Sequence, residues 1–554
     1  MPVKRSFWLV AIGAFALLTM MLSACGPTTP NTNNSTTPVK GGTLTDGLFE
    51  EPDTLMSGIT NETYSIMVDD ALWAPLWGGD DHGVPQPQLA TNFPSTANGG
   101  ISADGKTITI HLKPNLKWSD GQPLTADDVV WTLQLYQNPA YGLKDSLDVG
   151  NIASVTASDP STVVITLKNV EPPFLAVGGV DPGSFNPMPK HIYGSMTPQQ
   201  IAAVFTPMVT SGPFMFKSDA DHVKGDHITL FRNPNYFQAG LPYLDEVIFK
   251  IIPNTNTVLT ALQSGSIDTS WFLSVTNLDA YRAIQGYTQV QDTVPTTWEL
   301  LGFNETNPIL ADPVIRQVIV GSVKLNDILA ILKGTASKTC DDAVGTFGHD
   351  PQLTCYDPID TTTAGNMLTQ DGWVMGSDGV RHKGGKALEL RYTTTANNAR
   401  RSETQDIIKQ DLAPLGIKID IINQESTQYF GTTLYNYSAY DIYEFASSAG
   451  YDPDDHTLFA CNEFTNVPGG SNDSHYCNPQ VDAQYQIELT NPDQAARKAA
   501  FTAIHTQLNK DLPVMWMYSY PDLAIHKNTV HNYKTAATGE TWNIFEWWCT
   551  GGKC

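Results

Sequence analysis

Residues 117–131 read KWSDGQPLTADDVVW. Asp120, Asp127 and Asp128 fall close together there, bracketed by Trp118 and Trp131. Carboxylates beside aromatics are the material of an acid–base pair, a metal site or a ligand anchor. A second cluster is Gly450-Tyr451-Asp452-Pro453-Asp454-Asp455-His456, with oxygen and imidazole donors suited to a cation. Local chemistry offers these acids simpler roles. Asp120-Gly121 supplies a turn at a strand end. Thr125 and Asp128 have capping-box spacing, with Asp128 in place of the usual Glu or Gln. Asp127 and Asp128 then lie in a first helical turn, where the helix dipole favours negative charge. Asp-Pro-Asp reads as a turn and helix cap, and calcium-loop spacing is not met. The structural reading is preferred for both clusters, so neither a catalytic residue nor a metal site is expected.

The elements that hold these residues belong to a large exported protein. A chain of 554 residues exceeds one ordinary core, so at least two lobes are expected. Hydrophobic residues make up 41% and charged residues 16%, which suits a folded chain. The formal net charge of −25 opposes phosphate backbones, and nucleic acid is excluded as a partner. No GxSxG, HExxH or GxxxxGK[ST] occurs, and the 12 histidines are scattered. His505 reads as a helix-face residue. The chain is therefore not expected to be an enzyme; a carboxylate pair for glycoside hydrolysis is the one hydrolase reading left open.

Lys4 and Arg5 precede an apolar run from Phe7 to Leu22. That run is short for a membrane span of about 20 residues and has the layout of a secretory signal. It ends in Leu22-Ser23-Ala24-Cys25-Gly26, which resembles a bacterial lipobox. Residues 1–24 are then a signal peptide, and Cys25 carries acyl chains that anchor the protein by hydrophobic burial. Residues 25–39, with PTTPNTNNSTTP at 27–38, form a flexible tether. The six remaining cysteines fall into local pairs: Cys340–Cys355, Cys461–Cys477 and Cys549–Cys554. Disulfides persist outside the cytoplasm, so these pairings are expected, with other connectivities still open. There is no CxxC and no zinc spacing.

Along the rest of the chain, strand and helix periods alternate. KTITIHL at 106–112 and TVVITL at 162–167 repeat every second residue, as half-buried strands do. Arg401–Leu415 carries an apolar stripe through Ile408, Leu412 and Leu415, with Ser402 and Gln405 at capping-box spacing. Gly416 ends that helix, and IKIDI at 417–421 reads as a strand. Asn491-Pro492 opens another helix, with Phe501, Ile504 and Leu508 inward and Pro513 stopping it. The alternation implies α/β lobes.

The opening stretch, extended to ITIHLKPNLKWSDGQPLTADDVVWTL, resembles the signature of the extracellular solute-binding proteins of ABC importers for oligopeptides, dipeptides and nickel. SGPFMFK at 211–217, ITLFRNPNYFQAGLPYLDEVIFKII at 228–252, ALQSGSID at 261–268 and GFNETNPILADPVIRQ at 302–317 resemble later family segments in the same order. Asp371-Gly372-Trp373, Leu412–Ile421 and Asn491–Pro513 complete the series. One departure is Gly321-Ser322-Val323-Lys324-Leu325-Asn326, where the family usually has an Ala-Ile-Asp-type helix.

The resemblance implies a two-lobed periplasmic-binding-protein-like α/β fold, with a hinge and an additional inserted subdomain. Lobe I is discontinuous, taking 40–80, 206–300 and 513–554. The inserted subdomain spans 81–205 and lobe II spans 301–512. Ligand is expected between the lobes, in an apolar and aromatic cleft with a few polar groups. Cleft-facing candidates are Asn61, Tyr64, Trp271, Phe272, Trp298, Phe445, Tyr451 and Asp452. Each aromatic has core packing as its alternative. Peptide-binding relatives hold the peptide amine with an aspartate at a place occupied here near Ala449-Gly450, and Asp452 is the available substitute. The implied function is a lipid-anchored receptor on the outer face of the cytoplasmic membrane, or in the periplasm. It captures a peptide or related oligomer for an ABC permease and ATPase, acts as a monomer and needs no cofactor. Trp271, Trp298, Trp516 and Trp542 keep an oligosaccharide ligand open, and a metal complex is a further possibility within the family.

Overall fold

The structure is a computed structural model that describes residues 37–60, 62–143, 147–177, 185–465, 470–536 and 539–554. Two large sheets organise it. The first has eight strands. Its spine runs Tyr287–Gln291, Leu523–Lys527, Thr269–Ser270, Thr43–Leu48, Glu246–Ile251, His227–Arg232 and Phe214–Met215, and His222–Val223 also pairs with His227–Arg232. Thr43–Leu48 is parallel to both of its neighbours, with Leu44 against Val247 and Asp46 against Thr269. The second sheet has six strands, in the order Ser337–Lys338, Val514–Tyr520, Thr297–Phe303, Ile442–Ser448, Glu389–Thr393 and Lys418–Ile421. The described structure is thus a mixed α/β fold with two lobes.

The central strands of the second sheet are covered on two faces, which is why they are apolar on both sides. In Thr297–Phe303, Trp298 and Leu300 enter one core, and Leu301 and Phe303 enter the other. The pairing with Val514–Tyr520 slips between Glu299 and Leu300, a bulge that twists the pair and re-aims side chains. A third sheet, Thr107–His111, Thr162–Leu167 and Ile152–Asp159, lies beside the first lobe. Helix Ala126–Tyr136 packs on it through Val129, Leu133 and Tyr136.

The opening acids have structural partners. The Asp128 carboxylate accepts from the Thr125 N–H at 2.9 Å and the Lys190 N–H at 3.0 Å, and Thr125 caps the helix. Asp120 accepts from the Gln122 N–H at 3.0 Å and meets the His191 ring at 2.9 Å.

One expected cap is displaced. The helix read as Arg401–Leu415 starts at Ala399, because Asn398 accepts from the Arg401 N–H, and continues as a tighter turn to Leu415. Gln405 is buried instead and exchanges two amide hydrogen bonds with Asn423, at 2.9 Å each. The later helix runs Gln494–Asp511, capped by Asp493, with Phe501, Ile504 and Leu508 inward. His505, read as a face residue, is fully buried on it.

Cysteines pair in three short loops: Cys340–Cys355, Cys461–Cys477 and Cys549–Cys554, with Cα atoms 4.8, 4.5 and 5.1 Å apart. Among the described residues, no helix is long and apolar enough to cross a membrane. Cys25 and the tether to residue 36 lie outside the described residues.

Candidate functional site

Two segments carry the chain between the sheets where strands of both lobes continue each other. Tyr287–Gln291 leads through 292–296 into Thr297–Phe303, and Val514–Tyr520 leads through 521–522 into Leu523–Lys527. Each pair is antiparallel on its own side, Gln291 opposite Leu523 and Thr297 opposite Tyr520. The crossing is tied by the Asp292 N–H donating to the Asp522 carbonyl at 3.2 Å. A two-strand crossing is the natural place for bending between rigid lobes.

On the first lobe, three aromatics meet beside this crossing. Tyr64 opens helix Thr63–Leu72, whose N-cap Glu62 accepts from the Tyr64 and Ser65 N–H groups at 2.8 and 2.7 Å. Its ring stands edge-on to Phe272 at 5.8 Å, and Phe272 stacks on Trp271 at 4.0 Å. Phe272 has φ of +51°, a left-handed conformation that a bulky residue holds only where its surroundings impose it. Among the described residues the buried Trp271 indole N–H has no hydrogen-bond partner, a donor that a bound polar group can satisfy. Carboxyls crowd this side. Burial first, then Glu50, Glu62, Glu540 and Asp522, push the Tyr64 hydroxyl well above its ordinary value.

On the second lobe the charge is reversed. Glu299, fully buried, receives Arg400 at 2.7 Å and Arg401 at 2.6 Å, both from the first turn of helix Ala399–Leu412. Arg401 also donates to Thr395 Oγ1 at 2.8 Å. Burial opposes the charge on both arginines, and Glu299 beside them more than restores it. Glu444 does not cancel the second positive charge. Burial, then repulsion from Glu299, pushes its carboxyl to about 8, so it carries a proton at neutral pH. One carboxylate against two guanidiniums leaves a net positive charge here. Arg400 lies over the Tyr520 ring at 4.5 Å, at the mouth of the crossing. Asp522 links the two sides, since it acts on Tyr64 and is itself acted on by Arg400.

The residues named from the sequence divide. Tyr64, Trp271 and Phe272 come together. Trp298 and Phe445 meet each other at 6.1 Å, but inside a core of the second lobe, where they are 3% and 8% exposed. Tyr451 leaves the second lobe and packs edge-on to Phe93, against the first lobe's core, at 6.3 Å. The Asp452 carboxylate is held by both outer nitrogens of Arg497, at 2.6 and 2.5 Å, which occupies the group considered for a ligand amine. Arg497 is shared with Glu488. Asn61 lies outside the described residues. A second inter-lobe contact is Lys333 to Asp279 at 3.0 Å.

Arg400, Arg401, Glu299, Glu444, Asp292 and Asp522 were not singled out from the sequence. Two signals pointed to the first four. Glutamates inside apolar strands need buried partners. Two adjacent arginines at a helix start also stand against the helix dipole unless a carboxylate holds them.

Residues 84–467, more than half of the chain, match the profile of the bacterial extracellular solute-binding proteins, family 5 middle region. The oligopeptide-binding protein AppA of Bacillus subtilis is 25% identical over 568 residues, covering 98% of this chain and 99% of that protein. Its structure with a nonapeptide superposes with a TM-score of 0.76 at 22% identity, covering 93% of this chain and all of that one. NikZ of Campylobacter jejuni, solved with Ni(L-His), superposes with a TM-score of 0.77 at 21% identity, covering 91% and 99%. The two lobes, the ribbon that joins them and the profile match agree: this chain belongs to family 5 of the bacterial extracellular solute-binding proteins.

Proposed function

We propose that the chain is the lipid-anchored receptor of an ABC importer, capturing a peptide between its lobes and presenting it to a permease and ATPase. The observation that carries the peptide reading is the opposed charge of the gap. Carboxyls surround Tyr64 on one lobe and Arg400 lies on the other, spanned by an aromatic floor. A peptide with free termini has the matching dipole, and its apolar side chains suit Tyr64, Trp271 and Phe272. The names of AppA and of its nonapeptide complex support this reading. Cys25 acts as the lipid attachment point, 25–39 as the tether, and the receptor works as a monomer. Ligand that touches both lobes stabilises the closed form and so shifts the population toward it.

Calorimetry with peptides of graded length tests the reading. Free peptides should bind, and amidation of the carboxylate should weaken binding by about tenfold or more, as loss of a charged hydrogen bond does. Arg400→Met should produce the same loss for the free peptide and little change for the amide. Equal affinity for free and amidated peptides in the unmodified protein would sink the assignment of Arg400. The flat Trp271–Phe272 stack favours a second reading, an oligosaccharide ligand; binding of a neutral sugar oligomer in place of peptides would select it.

A further inference from the structure

Deep in the second lobe, away from the inter-lobe gap, three ionisable groups from distant parts of the chain converge. Asp342 follows Cys340 in the first disulfide loop. Asp455 precedes the short helix His456–Phe459, four residues after Tyr451. His505 lies mid-way along helix Gln494–Asp511. Their exposures are 3%, 5% and 0%. One ligand atom from each lies within 4.8 Å of the others. The imidazole Nε2 is 2.7 Å from Asp342 Oδ1 and 3.6 Å from Asp455 Oδ2.

Two observations point beyond an ordinary ion pair. First, among the described residues, three carboxylate oxygens at this spot, Asp342 Oδ2 and both oxygens of Asp455, are buried without a hydrogen-bond partner. Buried carboxylate oxygens are rarely left so, because the desolvation is then uncompensated. Second, His505 Nδ1 is 3.0 Å from the Phe501 carbonyl, which can only accept. Nδ1 therefore carries a proton, and Nε2 is the nitrogen that faces the carboxylates, where a cation would replace the proton shared with Asp342. An outer carbonyl that fixes the tautomer in this way is the usual support of a metal-bound histidine. The surroundings add negative charge, since Asp454 acts on Asp455. Arg497, beside them, is already engaged by Asp452 and Glu488.

We propose that Asp342, Asp455 and His505 form a structural site for a divalent cation of the zinc class. One imidazole nitrogen and two carboxylates are a borderline donor set suited to Zn2+, with Mn2+ next. Ca2+ is disfavoured by the nitrogen donor. The cation neutralises the two carboxylates and gives the unpartnered oxygens a ligand. Tyr485, whose hydroxyl faces Asp455, stands at a further side of the cluster. The consequence is positional. The site ties the disulfide loop, the long helix and the segment carrying Tyr451 into one unit, and Tyr451 reaches the other side of the gap.

The full chain, stripped with a chelator and dialysed, is titrated with Zn2+ by calorimetry and by thermal unfolding. One Zn2+ per chain with a raised Tm is expected, because binding to the folded form alone stabilises it. Asp455→Asn keeps the size and shape of the side chain, and its own unfolding curve without metal confirms that it folds. Its Zn2+ affinity should fall by more than the about 10- to 100-fold that loss of an outer support costs. His505→Gln should behave alike. His82→Ala, at the exposed Asp80-Asp81-His82 group, should leave binding unchanged. Absence of stoichiometric Zn2+ or Mn2+ binding by the unmodified chain would overturn the proposal. So would binding that survives Asp455→Asn or is lost in His82→Ala.

Discussion

The Asp522 N–H donates to the Asp292 carboxylate at 3.1 Å, where the chain's two crossings between the lobes pass each other. Two acids thus share the bending point. Burial, together with Asp292, pushes the Asp522 carboxyl to about 8 against the pull of Arg400, and burial pushes Asp292 to about 6. Both are raised above the unfolded value of 3.8. Between that value and the folded one, the native state binds more protons than the unfolded state, so stability falls as pH rises. The loss should continue from about pH 6 to 8 as Asp522 ionises beside Asp292. Thermal unfolding across this range should show a falling Tm. Asp522→Asn should reduce the slope without abolishing it, because Glu444 and Glu488 are also pushed to about 8 by burial; an unchanged slope would show that Asp522 does not contribute.

Glu299 is the single carboxylate holding Arg400 and Arg401. Removing one member of a buried ion pair leaves charge uncompensated, at a cost of about 3–5 kcal/mol. Glu299→Gln should therefore lower unfolding free energy by that order, whereas Arg400→Met leaves Arg401 on Glu299 and is milder. Urea titrations of the two variants should rank them in this order.

Asp128 accepts two backbone N–H groups, from Thr125 and Lys190, and Asp128→Ala removes both. Loss of Asp128 should cost about 1–3 kcal/mol, the desolvation of donors left without acceptors. Ligand affinity of the surviving folded protein should not move. A loss of affinity at full stability, measured by calorimetry beside urea unfolding, would return this cluster to the list of binding residues.

Tyr451 against Phe93 joins the second lobe to the core of the first. Aromatic pairs contribute about 0.5–1.5 kcal/mol beyond burial. Tyr451→Ala should weaken ligand binding by roughly two- to twelvefold by favouring the open form, as that energy range implies. Small-angle scattering of the liganded variant should show a larger radius of gyration than the unmodified protein at equal ligand. An unchanged radius and affinity would show that closure does not use this contact.

Local chemistry was legible and distance was not. KTITIHL and TVVITL became Thr107–His111 and Thr162–Leu167 because a two-residue period needs only its own neighbours to be read. The Thr125–Asp128 box spans three residues, and the cysteine pairs close loops of 5 to 16. The helix start at Asn398 was missed because Ser402–Gln405 imitates a cap and only burial of Gln405 against Asn423 rules it out. Arg400 and Glu299 are 101 positions apart, and Asp292 and Asp522 are 230 apart. No periodicity relates such residues; the sheet order does. The aromatics divided for the same reason. Trp298 and Trp271 look alike in sequence, yet one faces Trp516 across the second sheet at 5.4 Å and the other lies under Phe272.

The ribbon of Val514–Tyr520 and Leu523–Lys527 is an interior strand of both sheets: between Ser337–Lys338 and Thr297–Phe303 in one, and between Tyr287–Gln291 and Thr269–Ser270 in the other. Neither sheet can therefore be completed by a chain still threaded through an export channel upstream of residue 514. Until that segment emerges, four strand edges stay open to other chains, a hazard during translocation. The two lobes should consequently lock in one late event rather than in sequence order. A protein truncated before residue 514 would lose both lobes together, instead of releasing the second as a free domain.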